Sequence, residues 1–491
     1  MLVVRGAIME KQYLAIDIGA SSGRAMIVTY LEHRISYYEL HRFKNIIYEK
    51  DQKLFWDFKH LMREINFAID DAISKYPQLK SVGIDTWGVD YGYIDYDLKL
   101  IEDPRCYRDI RNKDAFLEVY KHITKENLYK KTGIQYLPFN TIYQLQDDLM
   151  HEDSMIAKAK HILLIPDLIA FHLTHTLATD ITNASTTNLL DAKTKTWITG
   201  SHLDHLIHKF PPFIKPGQCY GYIEKHNLPV IAPCSHDTAS AFASISKVRQ
   251  QAIISSGTWS LIGILLQNPI LSKKSYNLNF TNELGYLNQT RYLKNVMGLW
   301  IINQIKEDLH NDGLSYDYVE LEKLAMSSTP FAYFLDPDDP MFIEKGHMIN
   351  RVKTYFVKTN QKETHDIKHI LRAVYEGLAF KYRMILDDIE ILTKKKINEI
   401  IIIGGGNQSC LLNQFTANLT KRHVIIGPTE ASVLGNALMQ MIYFNDVSSA
   451  KEGHNIILKS IQSRFITSEF NDYEYAYQLF VNHMREKENH G

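Results

Sequence analysis

Two stretches of the chain share one build, and that build limits the fold more than any other feature. "QYLAIDIGASSGRAMIVTYLE" reads as an apolar strand, a turn of small residues over 19–23, and a second alternating strand. "QAIISSGTWSLIGILL" repeats the plan, with an apolar strand to Ile254, a Ser-Ser-Gly-Thr tip at 255–258 and a second strand from Trp259. Apolar alternation on both sides of a glycine-bearing turn predicts an antiparallel hairpin rather than a strand-to-helix crossover. Two such hairpins, far apart in the sequence, predict a molecule built twice from related parts.

Length agrees with that plan. At 491 residues the chain exceeds the roughly 250–300 at which a single core stops growing, so at least two domains are expected. The polar gap "SKVRQ" at 246–250 precedes the second hairpin and sets the expected boundary. This gives an N-terminal domain over 11–246, a C-terminal domain over 250–445 and a helical extension over 446–491. With 55 basic against 56 acidic side chains, nothing draws nucleic acid in bulk. The most apolar runs, "HILLIPDLIAFHL" and "EIIIIGGG", are broken by Pro, Asp or Gly well short of the ~20 residues of a membrane span. Cys106, Cys219, Cys234 and Cys410 form no CxxC pair, which argues against a zinc site or disulfide frame and suits the cytoplasm. "MLVVRGAIMEKQ" lacks the apolar core of a signal peptide, and Met9 is read as the natural start.

Between the hairpins, "FWDFKHLMREINFAIDDAI" places Leu61, Met62, Ile65, Ala68, Ile69 and Ala72 on one helical face, with Asp57 as its cap. A strand, "VGIDTWGVDYGYIDYD", is expected next. After the second hairpin, "HDIKHILRAVYEGLAFKYRMILDDIEIL" predicts a long amphipathic helix feeding the strand "INEIIIIGGG".

The tips suggest chemistry. Ala20, Ser21, Ser22 and Gly23 can turn several backbone N–H groups and two hydroxyls toward one spot, and small side chains let an anion approach: a phosphate cradle. Arg24 directly after it can add charge to bound phosphates, and Asp17 two residues before Gly19 can hold a magnesium ion directly or through water. The plain alternative is a tight turn with an acid at a strand end. The second tip favours the nucleotide reading, since a triphosphate held by a two-domain clamp needs a loop from each side. A third turn, Gly404-Gly405-Gly406, lies between strand and helix, with Asn407, Gln408 and Ser409 available to cap the helix. It lacks the GxGxxG spacing of a dinucleotide site, and its glycines would let a flat adenine lie close to the backbone.

In "APCSHDTASAFASI", His236 and Asp237 end an apolar stretch and open a small-residue helix. A carboxylate there is either an N-cap or a base with room beside it for a substrate. His236 next to a helix start suits a structural hydrogen-bonding role. Trp87 either packs structurally or stacks on an apolar sugar face, and Asp85 and Asp90 flanking it either bind hydroxyls or sit at a sheet edge.

Taken in order from about Tyr13 to about Met441, "AIDIGASSGR", "SVGIDTWGVDYG", "TGIQYLPFNTIYQL", "CSHDTAS", "SSGTWSL", "LKNVMGLW" and "IGGGNQSCLLNQ" resemble the FGGY carbohydrate kinases. The resemblance implies an α/β protein of two actin-like, ribonuclease H-like ATPase domains flanking a cleft. The implied reaction is ATP-dependent phosphorylation of a ketose, L-rhamnulose at its C1 hydroxyl, with ATP and Mg2+ as cofactors and a monomer or homodimer as the assembly. By the same resemblance, Ala20, Ser21, Ser22, Gly23, Arg24, Thr258 and Gly405 contact ATP. Gly88, His236, Asp237, Thr238 and Asn295 contact the sugar, and Asp237 is the catalytic base. Where the branch of that family that the chain most resembles carries Gln after "MGLW", this chain has Asn303, one methylene shorter, at a position associated with ATP. Two other readings stay open: a kinase of another ketose such as L-fuculose, for which the same phosphate loops serve, and a non-catalytic actin-like ATP-binding protein. The latter needs no sugar-side acid, and Asp237 and "DTWGVD" count against it.

Overall fold

The computed structural model describes residues 10–109, 114–151, 153–245, 251–461, 463–469 and 473–490. The expected boundary at 246–250 and the proposed start at Met9 lie outside the described residues. The chain forms two compact units that interleave in sequence: Met1–Lys247, Leu265–Tyr292 and Glu430–Gln462 make one, and Val248–Ile264, Leu293–Thr429 and Ser463–Gly491 the other.

The first unit is organised by a sheet of β1 (Lys11–Ile18), β2 (Ser22–Leu31), β3 (Arg34–Lys44), β4 (Leu79–Thr86), β5 (Cys219–Ile223) and β6 (Leu228–Ile231), in the order β5-β6-β4-β1-β2-β3. β1 and β2 form the expected antiparallel hairpin, while β1 and β6 each run parallel to β4. β1 is covered on both faces, as its nearly continuous apolar run requires. Leu14, Ile16 and Ile18 share a core with Phe58, Leu61, Ile65, Ala68 and Ile69 of the helix Phe58–Lys75. Asp57 caps that helix by accepting from the His60 N–H at 2.7 Å. Tyr13 and Ala15 face the opposite core, with Ala239 and Ala243 of the helix Asp237–Ala243 and Val433, Leu434 and Ala437 of the helix Ala431–Tyr443.

The expected single strand through "TWGVD" is two strands, β4 and a separate Tyr91–Ile94, joined by a sharp turn. Val89 at φ 72° is the cause: a β-branched residue in the left-handed region cannot continue a strand and persists only where its surroundings fix it. They do. The Val89 N–H donates to Thr186 Oγ1 at 3.1 Å, and its carbonyl accepts from Thr141 Oγ1 at 2.6 Å and Gln144 Nε2 at 3.3 Å. Thr141 and Gln144 belong to "NTIYQL", so one sequence motif braces the other.

In the second unit, apart from Leu265–Leu266 and Thr290–Tyr292, which belong to the first, β7 (Gln251–Ser256), β8 (Trp259–Leu266), β9 (Thr290–Met297), β10 (Glu399–Ile403), β11 (His423–Ile426) and β12 (Arg464–Ile466) run β9-β8-β7-β10-β11-β12. The plan of the first unit recurs here: β7 and β8 form an antiparallel hairpin and β7 runs parallel to a later strand, β10. The long helix spans Ile367–Thr393, capped by Asp366 accepting from the Lys368 N–H at 2.9 Å. Among the described residues, no helix is long and apolar enough to cross a membrane.

Candidate active site

The carboxyl ends of parallel strands are where α/β sheets bind ligands, because backbone and loops there are free to face outward. In the first unit, β1 ends in Asp17-Ile18 and β4 in Asp85-Thr86, and the register sets Asp17 directly beside Asp85. The segment after β6 continues alongside: the Thr86 N–H donates to the Ser235 carbonyl at 2.9 Å, and Thr86 bridges His236 in parallel. Asp17 and Asp85 therefore stand at two neighbouring strand ends, with Asp237 at the helix start that follows the bridge at His236.

Asp17 is held hard. Its Oδ2 accepts from Arg24 Nη2 at 2.8 Å, Arg24 Nε at 3.1 Å and Ser432 Oγ at 2.6 Å. Arg24 lies opposite Asp17 across the hairpin and reaches Glu430 Oε2 with Nη1 at 2.7 Å, so its guanidinium sits between two carboxylates. Asp85 is fully buried, accepts from Asn436 Nδ2 at 2.6 Å and leaves Oδ1 without a partner. Burial, then the Asp17 charge, pushes its carboxyl well above the usual range.

The hairpin tip is tied by the Gly19 N–H to the Ser22 carbonyl (3.0 Å) and by the Asn45 N–H to the Ser21 carbonyl (3.1 Å). Ala20 and Ser22 are half-buried and the Ser21 side chain is exposed. Gly23 is required by packing: a Cβ there would lie 2.2 Å from the Phe43 ring on β3.

Asp237 is the first residue of its helix, and His236, in extended conformation, takes the N-cap place that was one of the two alternatives for Asp237. Asp237 Oδ1 accepts from the Thr238 N–H, from Thr238 Oγ1 at 3.0 Å, and lies 3.4 Å from His236 Nε2. Burial and then the Asp17 charge push its carboxyl up to about 7. A carboxyl poised near neutrality, with 29% of the side chain still open, can exchange a proton with a bound hydroxyl. His236 has Arg291 Nη2 at 3.0 Å from its Nδ1, and burial with the Arg291 charge keeps the imidazole neutral, far below its usual pKa.

Gly88 lies half-buried at the Val89 turn, and a Cβ there would meet Thr186 Oγ1 at 2.8 Å. Trp87 and Asp90 are structural. The Trp87 indole packs against Trp56 with ring centroids 4.4 Å apart and planes tilted by 45°, and both indoles donate to Asp90 Oδ2, at 3.0 and 2.7 Å.

The remaining expected residues lie in the second unit. Thr258 is exposed at the tip of the β7–β8 hairpin, which the Gly298, Leu299 and Trp300 N–H groups clasp by donating to the carbonyls of Thr258 and Gly257 at 2.8–3.3 Å. Gly298 of "MGLW" permits this: a Cβ would lie 2.6 Å from the Gly257 oxygen. Gly404 (φ 80°) and Gly406 press on Ser256, whereas Gly405 is exposed with open space beside it, so only the middle glycine is free for a ligand. Ser409 caps the helix Cys410–Thr420. Asn303, on the helix Trp300–Asn311, accepts from the Tyr318 hydroxyl at 3.1 Å, and Asn295 lies half-buried on β9.

Sequence reasoning missed Glu430, Ser432 and Asn436, which return to the first unit from late in the chain, and Glu283 and Arg291 behind His236. The last two stand in the mixed runs "TNELGY" and "TRYLKN", the second of which also carries Lys294, so neither charge stands out locally.

Comparison with known proteins agrees with this geometry. The model for the FGGY family of carbohydrate kinases matches residues 12–241 with its N-terminal domain and 252–444 with its C-terminal domain. A rhamnulokinase of Enterococcus faecalis is 39% identical over 448 residues, covering 88% of this chain and 89% of that protein. One of Bacillus subtilis is 35% identical over 472 residues, covering 93% and 95%. A solved xylulose kinase from Lactobacillus acidophilus superposes with TM-score 0.77 at 16% identity, covering 96% of this chain and 97% of that one. Plasmodium falciparum glycerol kinase with ADP does so with TM-score 0.77 at 16% identity, covering 98% of each. The fold is thus the two-domain actin-like, ribonuclease H-like α/β fold. Both halves of the sequence, the sheet plan repeated in each unit and the relatives along most of its length agree: the chain belongs to the FGGY family of carbohydrate kinases.

Proposed function

We propose that the chain is an ATP-dependent L-rhamnulose kinase of the cytoplasm, forming L-rhamnulose 1-phosphate and ADP, with Asp237 as its catalytic base. The observation that carries the reading is Asp237 itself: a carboxyl at a helix start, pinned through Oδ1 and pushed up to about 7. The rhamnulokinases similar over most of the chain support the substrate.

Phosphoryl transfer is mainly a matter of positioning and charge neutralisation, with a base to receive the acceptor's proton. With Oδ1 held by Thr238, Asp237 Oδ2 takes the proton of the C1 hydroxyl as that oxygen bonds to the γ-phosphorus and the bond to the bridging oxygen of ADP breaks. In the first unit, Ala20, Ser21, Ser22 and Gly23 cradle phosphate, Gly88, His236 and Thr238 bound the sugar, and Arg24 holds Asp17 in place. In the second, Thr258 serves the phosphates, Gly405 and Asn303 the adenosine side, and Asn295 the sugar. The halves 11–246 and 250–445 carry these roles, with 446–491 as an extension.

Among the described residues no group of three His, Cys, Asp or Glu side chains is arranged to hold a metal. Asp17, with Asp85 and Asp237 near it and Arg24 its ion-pair partner, instead fits a Mg2+ brought in on the nucleotide, which one carboxylate plus phosphates and water suffice to bind. Bound there through Asp17, it would neutralise phosphate charge.

The test is a coupled ADP-release assay across L-rhamnulose, L-fuculose, L-xylulose, D-xylulose and glycerol. L-Rhamnulose is expected to give the highest kcat/KM by at least roughly tenfold. Preference for another substrate, or ATP turnover that no ketose stimulates, overturns the assignment.

A further inference from the structure

His236 has an ambiguity that the buried groups behind it resolve. A neutral imidazole carries one proton, on either nitrogen, and the choice decides whether the nitrogen facing Asp237 gives a hydrogen bond or competes for a proton. Arg291, at the start of β9, is wholly buried. Its Nε donates to the Leu284 carbonyl at 3.0 Å, and Nη2 lies 3.0 Å from both Glu283 Oε2 and His236 Nδ1. A guanidinium has donors only and keeps its charge, so Nδ1 must offer a lone pair. The proton is then on Nε2, the nitrogen 3.4 Å from Asp237 Oδ1.

We propose that Arg291, held by Glu283, is a positioning residue that fixes His236 as a neutral imidazole protonated on Nε2. In that form Nε2 can only donate, toward Asp237 or toward a substrate oxygen, and does not compete with Asp237 for the hydroxyl proton. The charged groups around the imidazole agree. Glu283 Oε2 is 3.6 Å from Nδ1 and would draw a proton onto it, but Arg291 stands against the same oxygen and takes that pairing. Asp237 faces the other nitrogen, with Asp17 and Asp85 acting behind it. Without Arg291, Glu283 would pair with a proton on Nδ1, and Nε2 would either present a lone pair beside Asp237 or become charged. The tautomer is a property of the unliganded protein; the role assigned to it rests on the proposed kinase reaction.

The experiment is nitrogen NMR of the full-length chain carrying 15N-histidine, with the His236 signals assigned by their loss in His236→Gln. Expected in the wild type are a protonated Nε2 and an unprotonated, hydrogen-bonded Nδ1, unchanged across the pH range in which an ordinary histidine titrates. In Arg291→Met the imidazole should begin to titrate or change tautomer, and kcat should fall roughly 10- to 100-fold with KM for ATP little changed. Arg291→Lys, which keeps a charged donor, should restore part of both. A wild-type proton on Nδ1 overturns the inference even if every Arg291 variant misfolds, and so does Arg291→Met with unaltered tautomer and kcat. If the tautomer is as stated but L-rhamnulose is not phosphorylated, the substrate assignment has failed and the positioning of His236 stands.

Discussion

The two glycine-tipped hairpins have nearly the same sequence plan and the same place beside a parallel strand, yet different forces hold them. The β1–β2 hairpin is pinned by charge: Asp17 and Arg24 face each other across it, and Glu430 and Ser432 complete the knot. The β7–β8 hairpin is held by backbone bonds and close packing, with its tip clasped by 298–300, Ser256 wedged against Gly404 and Gly406, and Ser260 bonded to Tyr382 at 2.6 Å. One plan thus serves two ends. The charged hairpin adds the Asp17 charge to the burial that raises the Asp237 carboxyl, and the neutral one presents a fixed shape.

Substitutions on the two sides should therefore fail differently. The largest effect belongs to the charged side: Asp237→Asn should lower turnover by roughly 10²–10⁴ with ATP binding nearly intact, measured by steady-state kinetics and calorimetry. On the neutral side, Gly298→Ala forces a Cβ to within 2.6 Å of the Gly257 oxygen and should displace the tip. An overpacking cost of about 1–3 kcal/mol should appear as a roughly 5- to 100-fold higher KM for ATP, with kcat less affected. Gly405→Ala, with open space at its Cβ, should leave thermal stability unchanged and touch only nucleotide affinity. Equal loss of stability in both variants would erase the distinction between a packed glycine and a free one.

Smaller effects follow from pH. With the Asp237 carboxyl pushed up to about 7, kcat/KM for the ketose should rise with pH along an acid limb centred near 7. Arg24→Gln leaves Asp17 and Glu430 less neutralised and should move that limb upward, whereas Thr258→Ala should not move it. Stability carries the opposite sign. A carboxyl whose folded pKa is raised above 3.8 costs nothing below that pH, costs progressively more up to about 7, and its full cost stands above. Asp237→Asn should accordingly raise the melting temperature by a few degrees at pH 8 and leave it unchanged near pH 3.5.

Much of this was legible in the sequence, for local reasons. The hairpins, the helix capped by Asp57 and the long helix capped by Asp366 follow from periodicity and end signals that need no distant partner. Asp237 was legible as a carboxylate opening a small-residue helix, either an N-cap or a base, and the resemblance to the FGGY kinases singled out the second role. The break at Val89 was hidden, since its left-handed conformation is imposed by Thr186, Thr141 and Gln144 from elsewhere in the chain. Glu430, Ser432 and Asn436 were hidden too: nothing in the helix Ala431–Tyr443 says on which sheet it lands, and Gly435, which brings it against Ser240, and Gly83, which makes room for its Asn436, show their purpose only in three dimensions. Arg291 and Glu283 neutralise each other, and pairing across a fold is invisible to local pattern.

The central claim is that Asp237 receives the proton of the hydroxyl to be phosphorylated. Its most direct test is an experimental structure with a non-hydrolysable ATP analogue and L-rhamnulose bound, in which the distance from the Asp237 carboxylate to the C1 oxygen is measured. The account predicts hydrogen-bond contact through Oδ2, at about 2.6–3.2 Å, with Oδ1 still held by Thr238. A C1 oxygen bonded to some other residue, with the Asp237 carboxylate turned away, would contradict it.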